Sequence, residues 1–583
     1  MKNHIIVILA VTLILSGCED LLEPRVDNHR TLEDIYDDPS YAEGLIMNAY
    51  ARIPTNGYSF NDVATDDAVS NDKFSDYREI ATGQWSALKN PLEQWSNSYT
   101  AIMYINQFLQ EADNVNWSYS SEIAAELFKN RNVGEAYGLR ALFMFHLLET
   151  HAGYGPDGTL LGVPIITEFD ESGSKILKQR NTFEECLQQI YSDIDSAKKL
   201  LPLDYFDVAK INQIPTQYSY ASREEYNRVF GAVNKQRISG RVAEAIRVKA
   251  ALLAASPAYA DGTSTTWEEV ARYAAEVLDR IGGISGIDPE GGRFYTAANI
   301  TAINLTRERD QIEMLWRGSL EGTGSRYLEE EHFPPTLFGN GRVNPTQNLV
   351  NAFPMANGYP ITDEVNSGYD PSNPYANRDP RLKQYIVVNG DFFAGQTIYT
   401  ETGSGDNAVD QIRTSTRTGY YLKKLLRDDV NLNPSAPLSQ KHYFPRIRYT
   451  EIFLIYAEAA NEAWGPDGTG PHGYSARDVI AAIRERAGIS QPDNYLTSIS
   501  SKEEMQDLIR KERRLELCFE GFRFWDLRRW KEDITVPAYG VKITDGLYEY
   551  DVVEKRLYED YMYYAPLPYL EVIKSSLVQN SGW

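Results

Sequence analysis

The sequence predicts a mainly α protein, helical hairpins carrying a loop-rich region with only short strands. Two observations lead there. Amphipathic helical periodicity covers most of the first 280 residues and returns after about residue 447. Between roughly Gly282 and Lys441 that periodicity gives way to Gly, Pro, Asn, Thr and Tyr.

Met1-Lys2-Asn3-His4 is a short basic lead, and Ile5 to Leu15 is an apolar run broken only by Thr12. Eleven residues are too few to span a bilayer as a helix, which needs about 20, but they suit a secretory signal. The run ends on Leu15-Ser16-Gly17-Cys18, which resembles the bacterial lipobox. Residues 1–17 are therefore expected to be a signal peptide and Cys18 the lipidated N-terminus, anchored without spanning. Glu19-Asp20 looks like the export signal of surface-exposed lipoproteins in some Gram-negative groups.

Helices are expected over Tyr41–Arg52, Leu92–Asp113, Glu122–His151, Thr182–Leu200, Val242–Ala258, Trp267–Ile281, Ile447–Trp464, Ala476–Ala487 and Lys502–Phe519. Gly521 is read as the C-cap of the last. Leu139 to Leu148 is apolar nearly all round, so that helix should be buried. Helix, short turn, helix, with Ala243, Ala250, Ala251, Ala254 and Ala255 at close contacts, resembles tetratricopeptide-like hairpins without a strict sequence period. Gly155-Pro156-Asp157-Gly158-Thr159 and Gly465-Pro466-Asp467-Gly468-Thr469 read as tight turns. In the irregular middle, Tyr385–Val388 and Gly419–Leu422 are strand-like. Long loops of this kind on a rigid frame commonly carry binding groups.

The charge of −24, or −25 once Lys2 leaves with the signal, disfavours nucleic acid and anionic lipid surfaces. Cys186 and Cys518 lie in helical patterns and read as small buried apolar residues. The seven histidines are scattered, so no zinc site is expected. Neither a nucleophile elbow nor a phosphate-cradling glycine motif occurs, and no cofactor is implied.

Several segments in order along the chain resemble one family. They are Asn344–Gly358, Asn377-Arg378-Asp379-Pro380-Arg381-Leu382, Arg446–Ala463, Ile509–Leu517, Phe519–Trp530 and Gln579–Trp583. With the lipobox they look like the SusD/RagB family of outer-membrane nutrient-binding lipoproteins. The resemblance implies one SusD-like unit over residues 18–583, with an N-terminal part of about 19–240 and a loop-rich C-terminal part of about 241–583. It also implies a partner, a TonB-dependent barrel of the SusC/RagA type, and an outer-membrane position facing the exterior. The implied cargo is an oligosaccharide, or in some members a peptide, and no enzymatic activity is expected. A surface glycosidase is the remaining alternative.

Arg513, Arg514, Glu516, Glu520, Trp525 and Trp530 read as structural ion pairs and packing rather than as a site. A sugar site needs an aromatic platform with charged hydrogen-bonding groups, which contribute about 1.5–3 kcal/mol per bond. The loop from Asn61 to Leu88 supplies Asp66, Asp67, Asp72, Tyr77, Arg78 and Trp85. Trp85 is the expected stacking platform and Asp67 the expected acceptor. Trp316, Tyr327, His332 and Arg378 are further candidates from the middle of the chain.

Overall fold

The computed structural model describes residues 36–583 apart from 56, 171–177, 304–310, 319–323 and 443. The leader, Cys18 and Glu19-Asp20 lie outside the described residues. Among the described residues, no helix is long and apolar enough to cross a membrane.

Helices α1 (Pro39–Ala51), α2 (Trp95–Glu111), α3 (Glu122–His151) and α4 (Phe183–Leu200) come first, followed by α5 (Arg223–Phe230), α6 (Gly240–Ala255) and α7 (Trp267–Leu278). After the insertion, which carries α8 (Tyr327–His332), come α9 (Tyr449–Trp464), α10 (Ala476–Ala487), α11 (Lys502–Glu516) and α12 (Arg523–Arg529). Many start where the sequence supplies a cap. Thr182, Thr266, Ser475 and Ser501 each close a capping box with an acidic residue three positions on.

The packing order is that of stacked hairpins. Helix α3 packs on α4, α4 on α6, α6 on α7, α7 on α9, and α9 on α10 and α11. Close approach is possible because the α6 face is alanine, with Ala243, Ala250, Ala251, Ala254 and Ala255 all buried. Residues 139–148 are buried throughout, as their all-round apolar pattern requires. Cys186 and Cys518 are free and buried, and burial pushes both thiols up to about 12. The two Gly-Pro-Asp-Gly-Thr segments are turns. Gly158 N donates to Gly155 O at 3.0 Å, and Gly465 takes φ +78° directly after α9.

Several helix ends differ from expectation by two or three residues, α2 starting at Trp95, α6 ending at Ala255 and α7 at Leu278, and the end of α11 shows a cause. Helix α11 stops at Glu516, not Phe519, and Leu517 rather than Gly521 caps it. The reason is electrostatic. Arg448 Nη2 donates to Glu516 O at 2.8 Å, and Lys424 Nζ donates to Glu516 O and Cys518 O at 2.7 and 2.9 Å. Cations thus take the last carbonyls, and Phe519 and Gly521, both at positive φ, turn the chain away.

Short antiparallel pairs build the insertion and tie it to the N-terminal loop: β1 (Ala68–Ser70) with β3 (Val343–Pro345), β2 (Met314–Arg317) with β6 (Pro445–Arg448), and β4 (Ile386–Val387) with β5 (Tyr421–Leu422). A longer hairpin, β7 (Ala538–Thr544) with β8 (Leu547–Glu554), turns on Asp545-Gly546, both at positive φ. It lies against Gly419 at φ +84°, where a Cβ would sit 2.5 Å from Val541 O.

Candidate functional site

The loop 61–88 is fastened to the far end of the chain, and that fastening uses most of the expected ligand residues. Asp66 accepts from Arg523 Nε at 3.0 Å and from Arg514 Nη2 at 2.8 Å. Asp67, fully buried, accepts from Arg514 Nε at 2.8 Å. Arg514 and Arg523 hold the Asp66 carboxyl far below its usual range despite burial. These two carboxylates therefore join loop to helices and are not open to a ligand.

Trp85 requires the same correction. Its ring is 4 % exposed, enclosed by Trp583 at 5.0 Å, Phe524 at 5.9 Å and Tyr558 at 6.4 Å between centroids, and its Nε1 donates to Asn90 Oδ1 at 3.0 Å. No face is left on which a sugar could stack. Trp316 is 2 % exposed in β2, donates to Gln236 O at 2.8 Å and lies 4.6 Å from the Arg446 guanidinium. Arg378 is buried and spends its guanidinium on the carbonyls of Pro374, Val350 and Phe353 at 2.8, 2.6 and 2.6 Å. Arg78 pairs with Glu554 at 2.7 Å. His332 is buried 4.4 Å from the Phe60 ring. Tyr77 is half-buried, and burial with the Asp76 and Asp62 carboxylates pushes its hydroxyl up to about 12, leaving a neutral group.

The charged residues of the block read as structural are so. Arg513 and Arg529 both bond Asp526, Arg529 pairs with Glu458 at 2.7 Å, and Arg381 bridges Asp379, Glu512 and Glu516. Such buried networks hold geometry rather than present it to a ligand.

Of the ten candidates, only Tyr327 is well exposed, at 68 %, and the structure gives it different company. Pairing of Ala68–Ser70 with Val343–Pro345 draws Asn71–Phe74 beside Asn340–Arg342. Asn71 Nδ2 donates to Asn340 O at 2.9 Å. Asp72 lies 3.4 Å from Arg342, whose Nε lies 3.4 Å from Glu331. Glu331 is four residues on from Tyr327 in α8, so the two share a helix face. At the other end of this Asp72–Arg342–Glu331 relay stands Phe74, 73 % exposed, with the Lys73 ammonium 5.0 Å from its ring. The contacts thus run from an open ring beside Asp72, through partly exposed charged groups, to an open ring one helical turn from Glu331. Open rings offer apolar faces, and the charges between them can exchange hydrogen bonds with hydroxyls.

Phe74, Arg342 and Glu331 were not singled out from the sequence. Phe74 had a signal, an isolated aromatic amid Asp72-Lys73 and Ser75-Asp76 with no apolar neighbours to pack on. Arg342 and Glu331 had none, because only the strand pairing places them.

The same architecture recurs in known proteins. Residues 313–583 match the model of the SusD family, and residues 26–223 match a SusD-like model described as starch-binding and associating with the outer membrane. The chain belongs to the SusD/RagB family. A SusD-like protein of Formosa agariphila is 22 % identical over 540 residues, 90 % of each chain. Among solved SusD-like structures, one from Bacteroides fragilis shares 23 % identity, covers 94 % of this chain and 98 % of its own, and superposes with a TM-score of 0.72. A SusD-like carbohydrate-binding protein of the same species shares 21 % identity over 92 % and 98 % of the two chains, with a TM-score of 0.69. These likenesses fix the SusD fold, including its mostly helical build with short strands.

Proposed function

We propose that this SusD-family chain captures oligosaccharides on the Phe74–Tyr327 face and passes them, unaltered, to a TonB-dependent outer-membrane barrel of the SusC/RagA type. Acyl chains on Cys18 would hold it at the outer membrane with that face toward the exterior. The observation that carries the reading is the pair of open rings flanking the Asp72–Arg342–Glu331 relay. The starch-binding description of the model matched by residues 26–223 supports the choice of glycan as cargo. Burial of an aromatic face against a sugar removes apolar area from water at about 25 cal/mol per Å². The charged relay supplies direction by bonding hydroxyls. Because Arg342 pairs with both Asp72 and Glu331 at 3.4 Å, the three are held near one another before a ligand arrives, which lowers the ordering cost of binding.

Calorimetric titration of the soluble chain beginning at residue 19, against neutral oligosaccharides and against peptides, tests this. Saturable heat with one glycan class, no product after hours of incubation, and loss of at least tenfold in affinity in both Phe74→Ala and Tyr327→Ala are expected. Binding of peptides alone, or glycan binding untouched by either variant, would overturn the reading.

A further inference from the structure

Away from that face, a second concavity opens between the helical layer and the N-terminal loop. Its free space, mouth included, is about 1020 Å³, and exposed Gly57 and Ser59 lie at its rim. Four helices distant in sequence build it: the end of α3 with Glu149, α6 with Lys249, α9 with Glu451, and α12 with Trp525 and the preceding Phe522.

The lining carries two unanswered acceptors. Glu451 is 2 % exposed; its Oε1 pairs with Lys249 Nζ at 2.9 Å, while its Oε2 has no hydrogen-bond partner among the described residues. Asn61 is 3 % exposed; its Nδ2 donates to Gly521 O at 3.2 Å, while its Oδ1 is likewise without a partner among them. A buried acceptor left unsatisfied costs about 1–3 kcal/mol; both of these belong to residues that line the cleft, and a donor reaching them from it would remove that cost. Glu149, partly exposed, adds a third acceptor.

The cations of the lining are already engaged. Arg448 is spent on Glu313 and Glu520, and Arg446 stacks on Trp316 and donates to Gln236 O at 3.3 Å. Lys249 is spent on Glu451, with its ammonium 5.5 Å from the Phe522 ring. An anion entering here would meet Glu149 and Glu451. A hydroxyl-rich neutral ring would meet acceptors for its hydroxyls and the half-buried rings of Phe522 and Trp525 for its C–H face.

We propose that this cleft is a second saccharide site, taking a single neutral pyranose unit with its hydroxyls on Glu451 Oε2 and Asn61 Oδ1 and its face on Phe522 and Trp525. The choice of a sugar over another polyol rests on the reading above; the site itself stands on its own geometry. The unit can arrive as a free monosaccharide or as the end of a longer chain, and both present the same ring.

The test uses the soluble chain from residue 19 carrying Phe74→Ala and Tyr327→Ala, so that the outer face contributes nothing whichever way that reading falls. Glucose, galactose, mannose and linear oligomers of each are titrated by saturation-transfer NMR and by tryptophan fluorescence. Saturable binding of at least one monosaccharide is expected, weakened tenfold or more by Glu451→Gln and by Trp525→Ala. If Trp525→Ala does not fold, Trp525→Phe replaces it, with loss of the fluorescence response as the readout. A monosaccharide that competes with its oligomer identifies the free sugar as sufficient; an oligomer that alone binds, and loses binding in Glu451→Gln, identifies a chain end. No binding by any of these sugars, binding indifferent to Glu451→Gln, or a high-resolution structure at saturating sugar with only water on Glu451 Oε2 and Asn61 Oδ1 would overturn the proposal.

Discussion

Asp66 and Arg523, 457 residues apart in the chain, meet with Arg523 Nε donating to Asp66 Oδ1 at 3.0 Å. Arg514 reaches the same carboxylate, so one buried acid holds two helices, α11 and α12, against the N-terminal loop. Removing one member of a buried, hydrogen-bonded charge pair leaves its partners uncompensated, typically at about 3–5 kcal/mol. Asp66→Ala is therefore expected to lower unfolding free energy by that order in urea titration. An Asp66→Ala chain as stable as the parent would contradict the fastening role.

Trp85→Ala removes a ring packed among Trp583, Phe524 and Tyr558. Large aromatic-to-alanine changes in a core cost about 3–5 kcal/mol. The expected result is a reduced Tm with glycan affinity retained per folded molecule. Phe74→Ala and Tyr327→Ala should do the opposite, with stability held within about 0.5 kcal/mol, as for surface changes generally, and affinity reduced.

Burial and the neighbouring Asp67 carboxylate raise Asp62 from 3.8 to about 7, with Oδ1 accepting from Phe519 N at 3.1 Å. The folded state thus holds a proton that the unfolded chain releases, so stability falls as pH rises from about 3.8 to about 7 and stays reduced above. Asp62→Asn keeps the acceptor and removes the charge. Thermal melts should show the variant gaining on the parent between pH 5 and pH 8; a constant difference across that range would rule out ionisation of Asp62 as the cause.

Glu516 behaves with the opposite sign. Although burial opposes it, Arg486, Arg381 and Arg448 hold its carboxyl at about 2 against an ordinary 4.5. Its contribution is fully present above about 4.5 and is lost as pH falls toward 2. Glu516→Gln should flatten that part of the acid unfolding curve while lowering stability at pH 7, both read by circular dichroism.

At Gly419 the positive φ and the 2.5 Å approach to Val541 O leave no room for a methyl group. Gly419→Ala is expected to cost more than about 1 kcal/mol, since alanine is strained where φ is positive. Hydrogen exchange should quicken in the 538–554 hairpin before it does in α9.

The helical frame was legible because burial there follows helix periodicity. Glu122–His151 and Ala476–Ala487 match their expected bounds, and the stretch 139–148 is buried as its composition demands. The short pair β4–β5 falls within the two strand-like runs expected. The 538–554 hairpin was missed although Asp545-Gly546, a strong hairpin signal, stands between its strands. The site was much less legible. Asp66, Asp67, Trp85, Trp316 and Arg378 have the residue types a sugar site needs, but those same types also serve buried ion pairs, carbonyl caps and cores. Which use applies depends on partners hundreds of residues away, such as Arg514 for Asp67 and Trp583 for Trp85.

The knot of contacts around residues 61–70 also sets an order of events in time. Strand β1 waits for residues 343–345, Asp66 and Asp67 for Arg514 and Arg523, and the carbonyls of Thr65 and Ala68 for Arg556. Contacts so remote in sequence demand closure of very large loops before they return any stabilisation. Residues 36–90 can hold local helix early, yet their loop stays unfinished until the last stretch of chain is available. A chain still being synthesised is therefore an open one, and the face with Phe74 and Asp72 is among the last parts of the molecule to be completed.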